Sequence, residues 1–399
     1  MRRAALPLLA CALGWPLLSL EKLRTPEKWG HATPPLLLLQ SAAPRAPPAE
    51  LHLEHIRREG SGYVAELPDG RHTELTLDPR LQAFAEQLIE ERRAPYAAAV
   101  ALSLDDGRLL ALAGRSLAEP ARSAASLCLE PWAPAASIFK LVTAAALVDR
   151  GVLPSANVCY HDGVHSVEES NLHPSPRFDR SCNTLAYGVA MSQNAILARL
   201  AYQHLDAPSL DRTARAFGFG AALPFQTEVP PSTITVPERG LPFARVAAGF
   251  WQSTLSPLHG AYLAATIARG GTTPPIHIAK ELAKPESQRA LDPATARAVA
   301  EMMVGTTRFG TAKMGFHDRH GRALLPGIEV AGKTGSLFRK ERPFLAYSWF
   351  VGFAPAAKPE IAVAVLLGNG SPRDVKAQRV ARDLLAGYFS NRPTIVAQR

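Results

Sequence analysis

The spacing of apolar residues predicts where this chain folds and into what. From Leu81 to Arg92 the apolar positions Leu81, Phe84, Ala85, Leu88 and Ile89 repeat every three or four residues, the period of a helix with one buried side. After Pro95 the rhythm changes. Ala97 to Leu104 is a short apolar run, Asp105-Asp106-Gly107 is a tight-turn signal and Leu109 to Ala113 is a second run, so a β-hairpin with a turn glycine is expected. Further strand candidates come only near the other end of the chain, at Ile328 to Ser336, Tyr347 to Ala354 and Ile361 to Leu367, followed by a last helix from Asp374 to Tyr388. The long stretch between the two groups is mostly helical in pattern, as in Ser137 to Arg150 and Pro257 to Ala268. The simplest arrangement is an α+β fold, with an antiparallel sheet from both chain ends, flanking helices and an inserted, mainly helical subdomain. A cleft between sheet and insertion is the natural place for a site. No repeat unit is visible, so a repeat architecture is not expected.

The N-terminal part follows neither rhythm. Met1-Arg2-Arg3 precedes an apolar stretch from Ala4 to Leu20, which predicts an export signal or short membrane anchor over residues 1–24. Pro7 and Pro16 interrupt the stretch and its length is at the lower limit for a span, so a cleaved signal stays open beside an anchor. Leu8-Leu9-Ala10-Cys11 is only a faint lipoprotein signal. Arginines ahead of the apolar run place the rest of the chain outside the cytoplasm, with the membrane as a partner through this segment. Residues 25–74 read as a tether rich in proline and alanine, with Pro34, Pro35, Pro44, Pro47 and Pro48, ending in a short β segment that begins near Leu51. Leu36 to Leu39 is too short to span a membrane. Residues 75–399 then form the main domain.

Composition supports a folded protein, with 47% apolar and 20% charged residues. The net charge of +9 would suit an anionic partner, but the basic residues are scattered and no basic run is interleaved with stacking aromatics. Nucleic acid is therefore not expected as a partner. Only ten residues are lysine, so a lysine inside a motif carries more information than usual. Cys128, Cys159 and Cys182 are too few for a disulfide framework; if one pair is bridged it is Cys159 with Cys182, and buried free thiols stay at least equally open. Cys159, His161, His165 and His173 match no standard zinc spacing, and neither a metal nor another cofactor is expected.

Three short motifs stand in order: Ser137-Ile-Phe-Lys140, Ser192-Gln-Asn194 and Lys333-Thr334-Gly335-Ser336. Each alone is weak, because Ser19-Leu-Glu-Lys22, Ser155-Ala-Asn157 and Ser181-Cys-Asn183 repeat the first two patterns elsewhere. Context separates them. Ser137 follows Pro134 and opens a helical pattern, which puts serine and lysine one turn apart on one face, within hydrogen-bond reach, at the positive end of the helix. The bland reading of such a serine is a helix cap with a surface lysine. A serine hydroxyl becomes a good nucleophile only when a neighbour takes its proton, and a lysine does so when burial or nearby positive charge destabilises its ammonium. Lys333 is a candidate for that second charge. Its strand has glycines that would let a substrate backbone approach, and Thr334 and Ser336 add hydroxyl donors for a carboxylate.

Taken together, residues 75–390 resemble the transpeptidase domain of penicillin-binding proteins, whose motif set is S-x-x-K, S-x-N and K-T-G. Leu77-Asp-Pro79-Arg-Leu-Gln82, Ser256-Pro-Leu258, Ala268-Arg-Gly270-Gly271, Gly310-Thr311-Ala312 and Trp349-Phe-Val-Gly352-Phe-Ala-Pro355 extend the likeness. The resemblance implies a fold of the β-lactamase/D,D-transpeptidase type. It favours Ser192 over Ser181 as the second-motif serine, because Ser192-Gln-Asn194 is followed by a helical Leu200-Ala201. It implies peptidoglycan D,D-transpeptidation in the bacterial cell envelope, with stem peptides as substrate, β-lactam antibiotics as acylating ligands and other cell-wall synthesis proteins as further partners. It makes Ser137 the nucleophile, Lys140 the base and Ser192 a proton relay, with Asn194, Lys333, Thr334, Gly335 and Ser336 binding substrate. Backbone N–H groups of Ser137 and Ser336 would form the oxyanion hole.

Two departures stand out. Ala136 precedes the nucleophile where many relatives have glycine, and Ser336 ends the third motif where many have threonine. The short N-terminal region leaves no room for a large N-terminal module, so a transpeptidase domain on a tether is expected. Three competing functions share the motif set. A β-lactamase would need a base for deacylation, for which Glu228 is a candidate, although Thr227-Glu228-Val-Pro-Pro231 lacks the expected downstream asparagine. A D,D-carboxypeptidase would differ only in using water as acceptor. A non-catalytic β-lactam-binding sensor or scaffold would keep the nucleophile without turnover.

Overall fold

The computed structural model describes residues 51–390 apart from 251 and 373. The predicted N-terminal anchor and most of the tether lie outside the described residues. A small antiparallel sheet of β1 (His52–Glu59), β2 (Gly62–Glu66) and β3 (His72–Glu74) comes first. Its Leu53, Tyr63 and Ala65 join the largest apolar core, so this segment is packed structure. Helix α1 (Pro79–Arg92) starts on Asp78, whose carboxylate accepts from the N–H groups of Arg80 and Leu81, with proline at the first turn.

The predicted hairpin is β4 (Tyr96–Ser103) and β5 (Leu109–Ser116). The next elements are α2 (Ala124–Leu129), a 3₁₀ turn over Ala136–Phe139, and α3 (Lys140–Asp149). The helix expected to begin at Ser137 therefore begins as a tighter turn, and Ser137 sits inside it, making none of the side-chain caps of an ordinary N-terminus. The insertion continues with β6 (Asn157–Tyr160), α4 (Glu169–Leu172), β7 (Ser181–Thr184), α5 (Leu185–Ala190), α6 (Asn194–His204), α7 (Ala207–Ala216) and α8 (Gly240–Ala247). Strands β6 and β7 pair antiparallel and are joined by a Cys159–Cys182 disulfide, the pair singled out in the sequence beside the equally open reading of free thiols; Cys128 is free and buried. Then follow α9 (Pro257–Ala268), α10 (Pro293–Arg308), α11 (Lys313–Phe316), β8 (Ala331–Arg339), β9 (Leu345–Ala354), β10 (Ile361–Asn369) and α12 (Ala377–Ser390).

The main sheet has the order β5-β4-β10-β9-β8, antiparallel throughout, and so joins the two chain ends. Strands β4, β9 and β10 are buried along their whole length because both faces are covered. On one face Ala97, Ala99, Val363 and Val365 pack with Leu81, Leu88, Val380 and Leu384 of α1 and α12. On the other, Val100, Trp349, Val351 and Ala364 belong to the core shared with α9 and the insertion. Gly260 lets α9 lie close to the sheet, since a Cβ there would stand 2.9 Å from Val351. Strand β8 is an edge of this sheet, and the 3₁₀ turn packs against it.

Candidate active site

Lys140 is the first residue of α3 and is fully buried although it carries an amine. Its Nζ donates to Ser137 Oγ at 2.9 Å, to Asn194 Oδ1 at 2.6 Å and to the Ala248 carbonyl at 2.5 Å. Burial, and then the positive charge of Lys333, hold it well below the ordinary lysine range. Ser137 is only half buried, so its hydroxyl meets both the amine behind it and the solvent side. The turn that carries it is tight: Ala136 has φ 50°, a left-handed conformation that a residue with a side chain adopts at a cost.

The second motif lies in the link between α5 and α6. Ser192 also has positive φ, 56°, and Gln193 caps α6 by accepting from Ala195 N–H. Asn194, at the first position of α6, turns its oxygen to Lys140 and donates from Nδ2 to the Val164 carbonyl at 2.7 Å. Ser192 Oγ accepts from Lys333 Nζ at 2.9 Å. The competing Ser181 lies in β7 beside the disulfide, where Asn183 donates to the Tyr160 hydroxyl. The fold therefore brings Ser192 and not Ser181 to Lys333.

Lys333 rises from the edge strand β8, is fully buried and also donates to the Thr334 carbonyl at 3.0 Å. Burial lowers its pKa to about 7. The Thr334 and Thr311 hydroxyls lie 2.5 Å apart, and Ser336, two positions along the same face, is exposed. The glycines of this strand have another reason than substrate approach. A Cβ at Gly332 would stand 2.3 Å from the Phe350 ring, and one at Gly335 would press on Trp349, Ile138 and Ala136. They let the strand pack on its own protein and on the turn that carries Ser137.

Three groups escaped the sequence reading. The Ala248 carbonyl belongs to the end of α8, followed by Gly249 with φ 79°, where a Cβ would stand 2.4 Å from the Ala136 carbonyl. A glycine after an apolar helical run was the available signal. Thr311 bonds Thr334 and, through its N–H, the Ala190 carbonyl beside the second motif. The Val164 carbonyl belongs to the disulfide-closed loop. Glu228, the base a β-lactamase reading requires, is exposed, in a segment where neighbouring Gln226 and Thr227 bond residues 278–283 and Leu51. Among the described residues no cluster of histidine, cysteine or carboxylates is arranged for a metal, and Cys159 is committed to its disulfide.

A hydroxyl hydrogen-bonded to a buried, charge-destabilised amine is equipped for nucleophilic attack, and a second lysine with adjacent hydroxyls is equipped to hold a carboxylate. Residues 97–386 match the penicillin binding protein transpeptidase domain. The chain is 26% identical to the peptidoglycan D,D-transpeptidase PbpA of Mycobacterium tuberculosis over 359 residues, covering 79% of this chain and 71% of that protein. It is 26% identical over 324 residues to the stage V sporulation protein D of Bacillus subtilis, covering 75% of this chain and 50% of that one. Among solved structures, the imipenem acyl-enzyme complex of penicillin-binding protein A from M. tuberculosis superposes with a TM-score of 0.64 at 24% identity, covering 79% of each chain. The transpeptidase domain of penicillin-binding protein 3 from Burkholderia pseudomallei gives 0.64 at 20% identity, covering 80% of this chain and 98% of that one.

Proposed function

Because the chain belongs to the penicillin-binding protein transpeptidase family, we propose that it is a peptidoglycan D,D-transpeptidase whose nucleophile is Ser137. The observation that carries this reading is the fully buried Lys140 amine 2.9 Å from the Ser137 hydroxyl, with Lys333 as a second buried lysine near enough to weaken its hold on a proton.

In the reaction, neutral Lys140 Nζ accepts the Ser137 proton as Oγ attacks the carbonyl of the penultimate D-alanine of a stem peptide. The oxyanion faces the Ser137 and Ser336 N–H groups. The tetrahedral species collapses by breaking the C–N bond, and the proton passes through Ser192 to the departing D-alanine amine. An amine of a second stem then attacks the ester, restoring the serine hydroxyl and forming the cross-link. Lys333, Thr334 and Ser336 hold the donor's terminal carboxylate, and Gly335 keeps the strand close to the nucleophile. A β-lactam, which presents a strained amide and a carboxylate in the same relation, acylates Ser137 and stays. The described domain is expected to work in the cell envelope, tethered or exported by the segment ahead of residue 51; among the described residues no helix is long and apolar enough to cross a membrane.

Labelling by a fluorescent penicillin tests the assignment. Wild type is expected to be labelled stoichiometrically and Ser137→Ala not at all; equal labelling of the variant rejects Ser137. Acylated donor peptide offered an amine acceptor then yields cross-linked product, whereas release by water alone identifies a carboxypeptidase.

A further inference from the structure

Arg199 is buried at 2% exposure and none of the proposed chemistry uses it. It projects from α6, the helix that begins at Asn194, and binds the disulfide-closed loop of residues 159–182 at three places. Its Nε donates to the Asn171 carbonyl at 2.6 Å, and its Nη1 donates to the Cys159 carbonyl and, at 2.7 Å, to Asp179 Oδ2. Asp179 is 5% exposed. Burial alone would raise its pKa, but hydrogen bonds from Arg199, the Ser175 N–H and His161 outweigh that and hold the carboxyl below the usual range. His161 Nδ1 lies 2.6 Å from Asp179 Oδ1, and two residues further on the loop meets the active site. There the Gly163 carbonyl accepts from Ala195 N–H at 3.2 Å and the Val164 carbonyl accepts from Asn194 Nδ2.

We infer that this loop is a positioning device for Asn194: the Arg199–Asp179 anchor holds the Val164 carbonyl where it turns the amide oxygen toward Lys140. The chemistry is directional. A carbonyl only accepts, so Val164 claims the NH₂ end of the amide and leaves its oxygen for the lysine. Without that carbonyl the amide is free to turn and donate to Lys140. A neutral lysine that accepts from the amide has its lone pair occupied, and this is the pair that must take the Ser137 proton. Asp179, Arg199 and Val164 touch no reacting atom; they act through Asn194. Gly163 is the weak point of the arrangement. It has φ 68°, and a Cβ there would stand 2.5 Å from the Ala195 Cβ, so any side chain pushes the Val164 carbonyl off α6.

The inference rests on the proposed acylation of Ser137, and stopped-flow acylation of the full chain by a fluorescent penicillin separates the two. Wild type is the control: if it is not acylated, both readings fall. For Gly163→Ala and Asp179→Ala, counted per folded molecule by thermal melting, the acylation rate constant is expected to fall about 10- to 100-fold while the non-covalent dissociation constant changes less than about twofold. Asp179→Ala strands a buried guanidinium and can cost folding, so Gly163→Ala carries the test if it does. Acylation at the wild-type rate in folded Gly163→Ala overturns the inference with the function intact. A raised dissociation constant with an unchanged rate also overturns it, since the loop would then be a substrate contact.

Discussion

Two fully buried lysines give the site its acid–base character, and they have different tasks. Under the proposed function Lys140 must be neutral to accept a proton, and burial and then Lys333 displace its pKa in that direction. In the same proposal Lys333 must be charged to attract a carboxylate, yet burial alone brings it to about 7. Falling pH protonates Lys140 and removes the base; rising pH through about 7 discharges Lys333 and weakens carboxylate binding. The apparent second-order rate of acylation by a penicillin is therefore expected to be bell-shaped. A penicillin methyl ester, which has no carboxylate, is expected to lose about 10- to 100-fold in rate near neutrality and to lack the limb above pH 7. An unaltered upper limb with the ester would show that Lys333 does not read the carboxylate. At this scale the candidate side chains were legible in the sequence only as an ordered set of three motifs, since serine and lysine in the first two spacings recur elsewhere in the chain. The Ala248 and Val164 carbonyls were not, because every residue has one.

At the scale of elements, β8 shows why a motif glycine need not mean substrate contact. Gly332 and Gly335 face protein atoms, with the Phe350 ring closest. Gly332→Ala is expected to destabilise the protein by about 1–3 kcal/mol through overpacking, measured by chemical denaturation, and Phe350→Leu is expected to recover part of the loss. If Gly332→Ala unfolds like wild type, the ring yields and the steric reading fails. The hairpin of β4 and β5, the last strands and the helices over Leu81 to Arg92 and Pro257 to Ala268 were visible from period and turn residues. The 3₁₀ start at Ala136 was not, since period alone does not distinguish one tight turn from the first turn of an α-helix.

Over the whole molecule, burying two amines costs stability and creates a pH dependence. Both lysines titrate lower folded than unfolded, so between about 7 and 10.5 the unfolded chain binds the Lys333 proton that the folded chain has released. Stability contributed by this residue therefore rises with pH across that window and is least below it. The melting temperature of wild type relative to Lys333→Met is expected to increase from about pH 7 to about pH 8.5; a constant difference would mean that Lys333 keeps its ordinary pKa. By itself the sequence determined that the chain has strands at both ends and helices between, and which serines and lysines are candidates, because period and side-chain chemistry are local properties. The resemblance already favoured Ser192 over Ser181, but tertiary structure alone decided that Ser192 meets Lys333, that Lys140 sits in a cage completed by Asn194 and Ala248, and that a disulfide-closed loop reaches the site. These are relations between segments far apart in the chain, and only packing brings such segments together.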